Sequence, residues 1–517
     1  MLSKAIVYDK SKPFWNGYSQ KLTWLFIMIF MVVFPLFVDS TGYVKLTEAK
    51  YHFFVWVTST YLVLMLLGYI VALIKRDTKF PSVRNIIKEA SFTQKALVVF
   101  LISVLISSAF SPYKVFLWVG IGRYDGLCTI LLYLATFFTL SVFGKLDKWH
   151  LIGFSISMTI LSIIGIFQFL GINVFGLYPS GYNFLNSTFI TTVGNVNMTS
   201  GMFCLAIPLL ITAFIVLEEK YRYIYLVAGA ICLFTEMVCR TESGIVGLAG
   251  SLVILIPIVI NTKERILGGL IAGFVLSAVV AVKSTLTVTY TGYVHVCNFL
   301  ITNTTKMCMA LMVTFFVLWV ILKIFEKKIT VSRKKMTLSL SIIMILAVVG
   351  GVSFVYFKGD SVNVGMIKEA HQMMHGNFED DFGSGRIFIW RRCMPIIKEN
   401  PIIGTGPDSF MNVFMNRYNQ EVSQNYDFAH NDYIQLMINY GILGLATYLA
   451  ALFAIAKRSL KLSVHNEKIL VLGASMLCYC IQIFFSFSIV LVAPVFWIIY
   501  GLLEKIIKDT KNESAVV

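Results

Sequence analysis

VSRKKMTLSLSIIMILAVVGGVSFVYFKGD (331–360) holds an uncharged run from Met336 to Phe357, with Arg333, Lys334 and Lys335 at one end and Lys358 at the other. A helix of that length rises about 33 Å, enough for the roughly 30 Å hydrocarbon core of a bilayer. Basic residues beside a span mark its cytoplasmic end. Met336–Phe357 therefore reads as a membrane span entered from the cytoplasm, and the chain beyond it, from Lys358, lies outside.

The same reading carried in both directions gives about fourteen spans, near 22–38, 52–74, 96–111, 126–144, 150–170, 195–217, 223–239, 244–261, 267–283, 307–325, 336–357, 433–456, 469–487 and 489–504. The last two come from one long apolar stretch divided near Ser486–Ser488. The expected fold is an all-α polytopic membrane protein. Residues 1–357 form N-terminal membrane helices, about eleven spans. Residues 358–432 form a large extracytoplasmic loop with short helices, 433–504 the C-terminal membrane helices, and 505–517 a cytoplasmic tail.

Composition agrees. Of 517 residues, 57% are hydrophobic and 14% charged, and the mean hydropathy is +0.78. Soluble domains are roughly 45–50% apolar and about 25% charged. A soluble enzyme, a disordered chain and a nucleic-acid-binding domain are excluded on that ground. The net charge of +16 collects on the inner segments: Lys4, Lys10, Lys12 and Lys21; Lys75, Arg76, Lys79, Arg84, Lys88 and Lys95; Lys327, Lys328 and the 333–335 cluster; Lys457, Arg458, Lys461 and Lys468; and Lys505, Lys508 and Lys511. It reports orientation and attraction to anionic membrane lipid, and no nucleic acid partner is expected. The first 21 residues lack the apolar core and cleavage site of a signal peptide, so the first span is expected to remain. Nine cysteines without a CxxC pair read as small buried hydrophobes.

Ionisable residues at one membrane boundary are functional candidates. On the outer side these are Arg123 in VGIGRYDGL, Arg240 in VCRTESG, the set Arg386, Arg391 and Arg392 in GSGRIFIWRRC, and His430 in FAHNDYIQLM. Each has a plainer alternative. Arg123 could pair with Asp125 and Arg240 with Glu242, as interfacial anchors. The three arginines could face lipid headgroups on an amphipathic helix, in which Ile389, Trp390, Cys393, Ile396 and Ile397 recur at helical spacing. Asp408 reads as the cap of a helix beginning after GTGPDS. His371 and His375 have the spacing of a helical metal pair but lack a third ligand, and Glu379–Asp381 reads as a solvated face; no metal is expected. Taken together, several fixed cations and one titratable base suit a lipid-anchored diphosphate and a hydroxyl nucleophile. Arginines would hold the leaving diphosphate and His430 would take the hydroxyl proton.

The stretch from Gly383 to Gly444 resembles the O-antigen ligase family, also called the O-antigen ligase/polymerase superfamily. Its pattern is His, then Asn, Ser or Gln, nine residues, then Gly-x-x-Gly. Here His430–Asn431 is followed by nine residues and Gly441-Ile442-Leu443-Gly444. His465–Asn466 fails the test, since Met476 stands where the first glycine belongs. Upstream, the segment from Arg386 through Trp390, Asn400-Pro401 and the Gly-rich turn is similar to the family's. GRYDGL (122–127), VGNVNMTSGMF (193–203) and VCRTESGIVGL (238–248) are weaker echoes; in the last, Gly244 follows Ser243 where the family places Arg.

The resemblance implies an enzyme of the bacterial cytoplasmic membrane with its site on the extracytoplasmic side. Such an enzyme transfers a glycan, with inversion and without metal or other cofactor, from an undecaprenyl-pyrophosphate donor to a hydroxyl of a glycan, lipid or protein acceptor. His430 would be the base, with Arg386 the principal pyrophosphate ligand and Arg123 and Arg240 assisting. Asn431, Asp432 and Arg392 would support them, and Gly441 and Gly444 would allow close helix packing. The alternative is a non-catalytic flippase for the same lipid-linked oligosaccharide, which would place charges at mid-membrane. A metal-dependent oligosaccharyltransferase-type enzyme would want acidic ligands in the first outer loop, which offers only Asp39 and Glu48.

Overall fold

The computed structural model describes residues 14–77, 83–179, 188–291, 294–422 and 424–516. Lys4, Lys10, Lys12 and Lys79, and most of the stretch read against a signal peptide, lie outside them. Among the described residues, eleven helices are long and apolar enough to cross a membrane. They match eleven of the expected spans. The other three expected spans are also helical, but fall short by that measure. Leu127–Phe143 has 17 residues and Glu467–Gln482 has 16, about 24–26 Å of rise. Ala493–Val516 is long enough, but Glu504, Lys505, Lys508 and Asp509 break its apolar run. Its Glu504 is buried in an ion pair with Arg458, which also donates to Thr93 Oγ1 at 2.6 Å.

Val196–Val216 is the centre of the bundle, with 89% of its apolar window buried. It packs against Arg222–Cys239, Glu242–Val259 and Glu467–Gln482. A helix apolar on all sides belongs in such a place or in lipid. Asn303–Ile324 and Arg333–Ser361 take the second course, with 6% and 0% of their windows buried. Between Lys263–Thr285 and Asn303–Ile324 the chain forms an antiparallel hairpin, Leu286–Thr291 with Val294–Phe299. This is a departure from the all-helical expectation. Its alternating Thr and Val residues favour strand over helix.

Three short helices occupy the segment between Lys358 and Asp432: Gly365–Met374, Phe382–Glu399 and Phe410–Tyr418. The expected periodicity holds. Ile389, Cys393 and Ile396 are buried in a small core with Phe410, Phe414 and Ile438. His371 and His375 direct their Nδ1 atoms to the carbonyls of Val355 and His371, at 2.9 and 2.8 Å.

The Asp432–Leu462 helix is broken at Gly441, where φ is 63° and ψ −168°. The break frees backbone groups, and the Pro401–Gly406 loop meets them. Ile442 N donates to Pro401 O at 2.8 Å, Thr405 N to Ile438 O at 2.9 Å and Gly406 N to Asn439 O at 2.9 Å. Gly441 is thus a docking point for a loop as well as a packing position. A Cβ there would lie 2.2 Å from Ile402 O, in a backbone region open essentially to glycine alone. Gly441→Ala is expected to destabilise the protein by about 2–5 kcal/mol, from backbone strain and overpacking. A fall in the unfolding midpoint of the detergent-purified protein checks this, with an unchanged midpoint counting against the loop's role. Gly444 packs on Ser103, 3.4 Å from the position of a Cβ.

Candidate active site

Asn431 is the N-cap of the broken helix; its Oδ1 accepts from Tyr433 N at 3.0 Å and Ile434 N at 3.1 Å. Asn466 does the same for Glu467–Gln482, accepting from Lys468 N at 3.1 Å. Asparagine in a His-Asn pair is therefore a helix-start signal in both places. What distinguishes His430 from His465 is its surroundings.

His430 has a left-handed backbone, φ 49°, which a non-glycine residue adopts only where neighbours hold it. Both backbone groups of the preceding residue are fixed. Ala429 N donates to Gln435 Oε1 at 3.0 Å, and Ala429 O accepts from Trp390 Nε1 at 2.9 Å. Asp432 fixes the opposite wall. Its N–H donates to Ile483 O at 3.0 Å, and its Oδ1 accepts from Ser488 N at 3.0 Å. The chain between Glu467–Gln482 and Ala493–Val516 is thereby pinned beside His430. Phe487, from this stretch, meets the imidazole edge-on with ring centres 5.2 Å apart.

Phe485 supplies the carbonyl that accepts from Arg386 Nε at 3.0 Å, while Arg386 Nη1 donates to Gly383 O at 2.6 Å. Arg386 follows three consecutive left-handed residues, Gly383, Ser384 and Gly385, at the head of Phe382–Glu399. Its outer edge faces Glu242, 3.7 Å away. Arg123 arrives from the other half of the chain. Asp408 carries it there, since its Oδ2 accepts from Ile121 N at 2.7 Å and stands where a side chain on Gly120 would be. Asp408 is thus a tie to the Arg123 turn and not the expected helix cap, for Phe410–Tyr418 has no side-chain cap. Burial pushes the Asp408 carboxyl up to about 7, against the two backbone donors that favour its charge. Burial likewise lifts Asp125, helped by Asp408.

The structure brings Arg123, Arg386 and His430 together. Arg123 lies 5.5 Å from the Phe487 ring that His430 also touches. Its partner is Asp427, not Asp125: Nε and Nη2 are both 2.6 Å from Asp427 Oδ2. Arg240 is the exposed residue ending Arg222–Cys239 in a left-handed turn, φ 54°. Glu242, its partner in the plainer alternative, faces Arg386 instead. Arg240 is thus near the group by chain position, with no contact to His430. Arg392 is further out, paired with Asp380 and Glu421 at 3.5 and 3.3 Å and lying 3.6 Å from the centre of the Phe388 ring. Sequence reading missed Asp427 and Gln435, and gave Asp408 and Trp390 other parts, as a helix cap and as one face of a helix. The acid three residues before the histidine in DFAHND was a visible signal; the others work through partners distant in the chain.

Neither imidazole nitrogen of His430 has a hydrogen-bond partner among the described residues. Burial, then the Arg386 and Arg123 guanidinia, lower its pKa to about 4, with Asp427 pulling the other way. A neutral imidazole close to two guanidinia can accept a proton beside a bound anion.

Residues 293–449 match the family model described as O-antigen ligase. The matched stretch contains Arg386, Arg392, His430, Asn431, Asp432 and both motif glycines; Arg123 and Arg240 precede it. The chain is thus a multi-pass membrane protein carrying an O-antigen ligase domain, of the kind that transfers glycans in polysaccharide biosynthesis. A search of curated proteins found no match.

Proposed function

We propose that the protein transfers a glycan from an undecaprenyl-pyrophosphate-linked donor to an acceptor hydroxyl at the outer face of a bacterial cytoplasmic membrane. The observation that carries this reading is the imidazole of His430, without a hydrogen-bond partner among the described residues, close to the Arg386 and Arg123 guanidinia. The acceptor hydroxyl gives its proton to His430, and its oxygen attacks the anomeric carbon. The bond from that carbon to the diphosphate oxygen breaks, with inversion, and the diphosphate leaves with the electron pair. Arg386 and Arg123 supply fixed positive charge to the leaving group. A bound dianion beside them also raises the basicity of His430. Arg240 joins from the next turn when the donor is bound. In this reading residues 358–432 face outward and cover the site, 1–357 and 433–504 are the membrane part, and 505–517 lie in the cytoplasm. The basic residues on the inner loops support that orientation.

The arginines do the work a divalent cation would otherwise do at the diphosphate. Transfer by the purified protein from a lipid-linked oligosaccharide is therefore expected to be unchanged, within about twofold, in excess EDTA. A drop that added Mg²⁺ or Mn²⁺ restores would overturn the metal-free mechanism. The reading itself is tested by supplying glycan, lipid and protein acceptors in turn. Translocation of the donor in liposomes without transfer to any acceptor would replace it with the flippase.

A further inference from the structure

Both guanidinia assigned to the diphosphate face carboxylates. Arg386 has Glu242 at 3.7 Å, a loose contact. Arg123 is held firmly, with Asp427 Oδ2 at 2.6 Å from two of its nitrogens. A diphosphate cannot form a forked contact with the Nε–Nη2 edge of Arg123 while Asp427 occupies it. Yet the pair is open to exchange. Its side chains are 26% and 34% exposed, and ion pairs at that exposure are weak. Asp427 also lies in the non-helical approach to Asn431, three residues before His430, where a side chain can turn without unwinding a helix. The charged groups that act on His430 are Arg386, Arg123 and Asp427; Asp427 itself is faced by Arg123 and, more distantly, by Asp408.

We infer that Asp427 is a positioning residue that changes partner during the reaction: it holds Arg123 while the site is empty, yields it to the donor's diphosphate, and turns to His430 as the imidazolium forms. This rests on the diphosphate-donor reading above. The step makes and breaks no covalent bond at Asp427. The proton passes from the acceptor oxygen to a ring nitrogen of His430, and the carboxylate only supports the charge so created. When that proton is lost to solvent, Asp427 returns to Arg123 and competes with the diphosphate product, which promotes its release. The acid is thus both a stand-in for the diphosphate and a counter-ion for the base. Arg123 and His430 both lie against the Phe487 ring, so the carboxylate's two partners share one neighbour.

Two readouts on the full-length protein in detergent test this without the natural glycan. The first is the affinity of farnesyl diphosphate. Asp427→Asn keeps the shape of the side chain and removes its charge, so it is expected to bind about two- to fivefold more tightly than wild type, the scale of releasing an exposed ion pair. Equal or weaker binding would mean that Asp427 does not compete for Arg123, and would overturn the inference. The second is the pH midpoint of diethyl pyrocarbonate modification at His430, read by mass spectrometry with farnesyl diphosphate bound. The midpoint is expected about one pH unit lower in Asp427→Asn than in wild type, and equal midpoints would overturn the second half of the exchange. Asp427→Glu restores the charge and is expected to return both readouts to the wild-type side; a Glu variant that behaves like Asn counts against the inference. If wild type binds no farnesyl diphosphate, the diphosphate reading falls and the exchange with it. If wild type binds it, Arg386→Gln weakens it and Asp427→Asn leaves it unchanged, the exchange alone falls.

Discussion

His430→Ala is expected to lower glycan transfer by about 10²–10⁴-fold, the usual contribution of a positioned general base, while leaving the protein folded. The fold does not depend on the imidazole. The turn is held by Ala429, through Gln435 and Trp390, and by the Asn431 cap. The ring packs edge-on against Phe487 and makes no hydrogen bond among the described residues. The free enzyme's kcat/KM should also follow the depressed pKa of the group. A base that titrates near 4 is protonated, and so disabled, only as pH falls through that value. The acidic limb is therefore expected well below the ordinary histidine value of about 6.5. A limb near 6.5, or a mutant as active as wild type, would remove His430 from the chemistry. His465→Ala on the Asn466-capped helix is the matched control and should leave activity intact.

Arg386→Ala is expected to cost about 10²–10³-fold in kcat, in line with removing one strong donor from a developing charge. Arg386 is the more deeply placed of the two guanidinia, with 12% of its side chain exposed. A buried charge acts on a leaving group with less screening than an exposed one. Lysine should not rescue it. The guanidinium already uses Nε and Nη1 on the carbonyls of Phe485 and Gly383, and a single ammonium cannot keep both bonds while also reaching a ligand. Arg386→Lys is therefore expected within about tenfold of Arg386→Ala. Farnesyl diphosphate binding separates the two parts of the role. A variant with lost turnover but full diphosphate affinity would move Arg386 from holding the leaving group to holding the Phe485 segment.

The two glycines of the motif bear differently on these residues. Gly441 breaks the helix so that the Pro401–Gly406 loop can dock, and Asp408, two residues beyond that loop, then ties the Arg123 turn to it. The break at the motif's far end thus helps to bring an arginine from the other half of the chain to the base. Gly444 packs against Tyr440 and Ser103, a Cβ there lying 2.3 Å from the Tyr440 Cβ.

Several parts of this arrangement were legible from local pattern. Hydropathy over about 20 residues marks a helix in lipid whatever its neighbours, so each expected span coincides with a helix, eleven of them long and apolar enough to cross a membrane. Period 3.6 placed Ile389, Cys393 and Ile396 on one buried face. The His-Asn–Gly-x-x-Gly spacing marked His430, because a helix cap and a helix break at fixed separation are local events. Electrostatic partners were not legible in this way. The plainer alternatives paired Arg123 with Asp125 and Arg240 with Glu242, since chain neighbours are the default. Asp427 takes the first and Glu242 faces Arg386 instead, because a guanidinium reaches whichever carboxylate the packing sets in front of it. The same holds for the Asp408 tie and for the Asp432–Ser488 bond. Periodicity and charge along the chain thus fix which segments enter the membrane, and the two His-Asn pairs mark two helix starts. Which cations His430 faces, and which acids hold them in reserve, depends on contacts between residues up to about 300 positions apart, which no local pattern encodes.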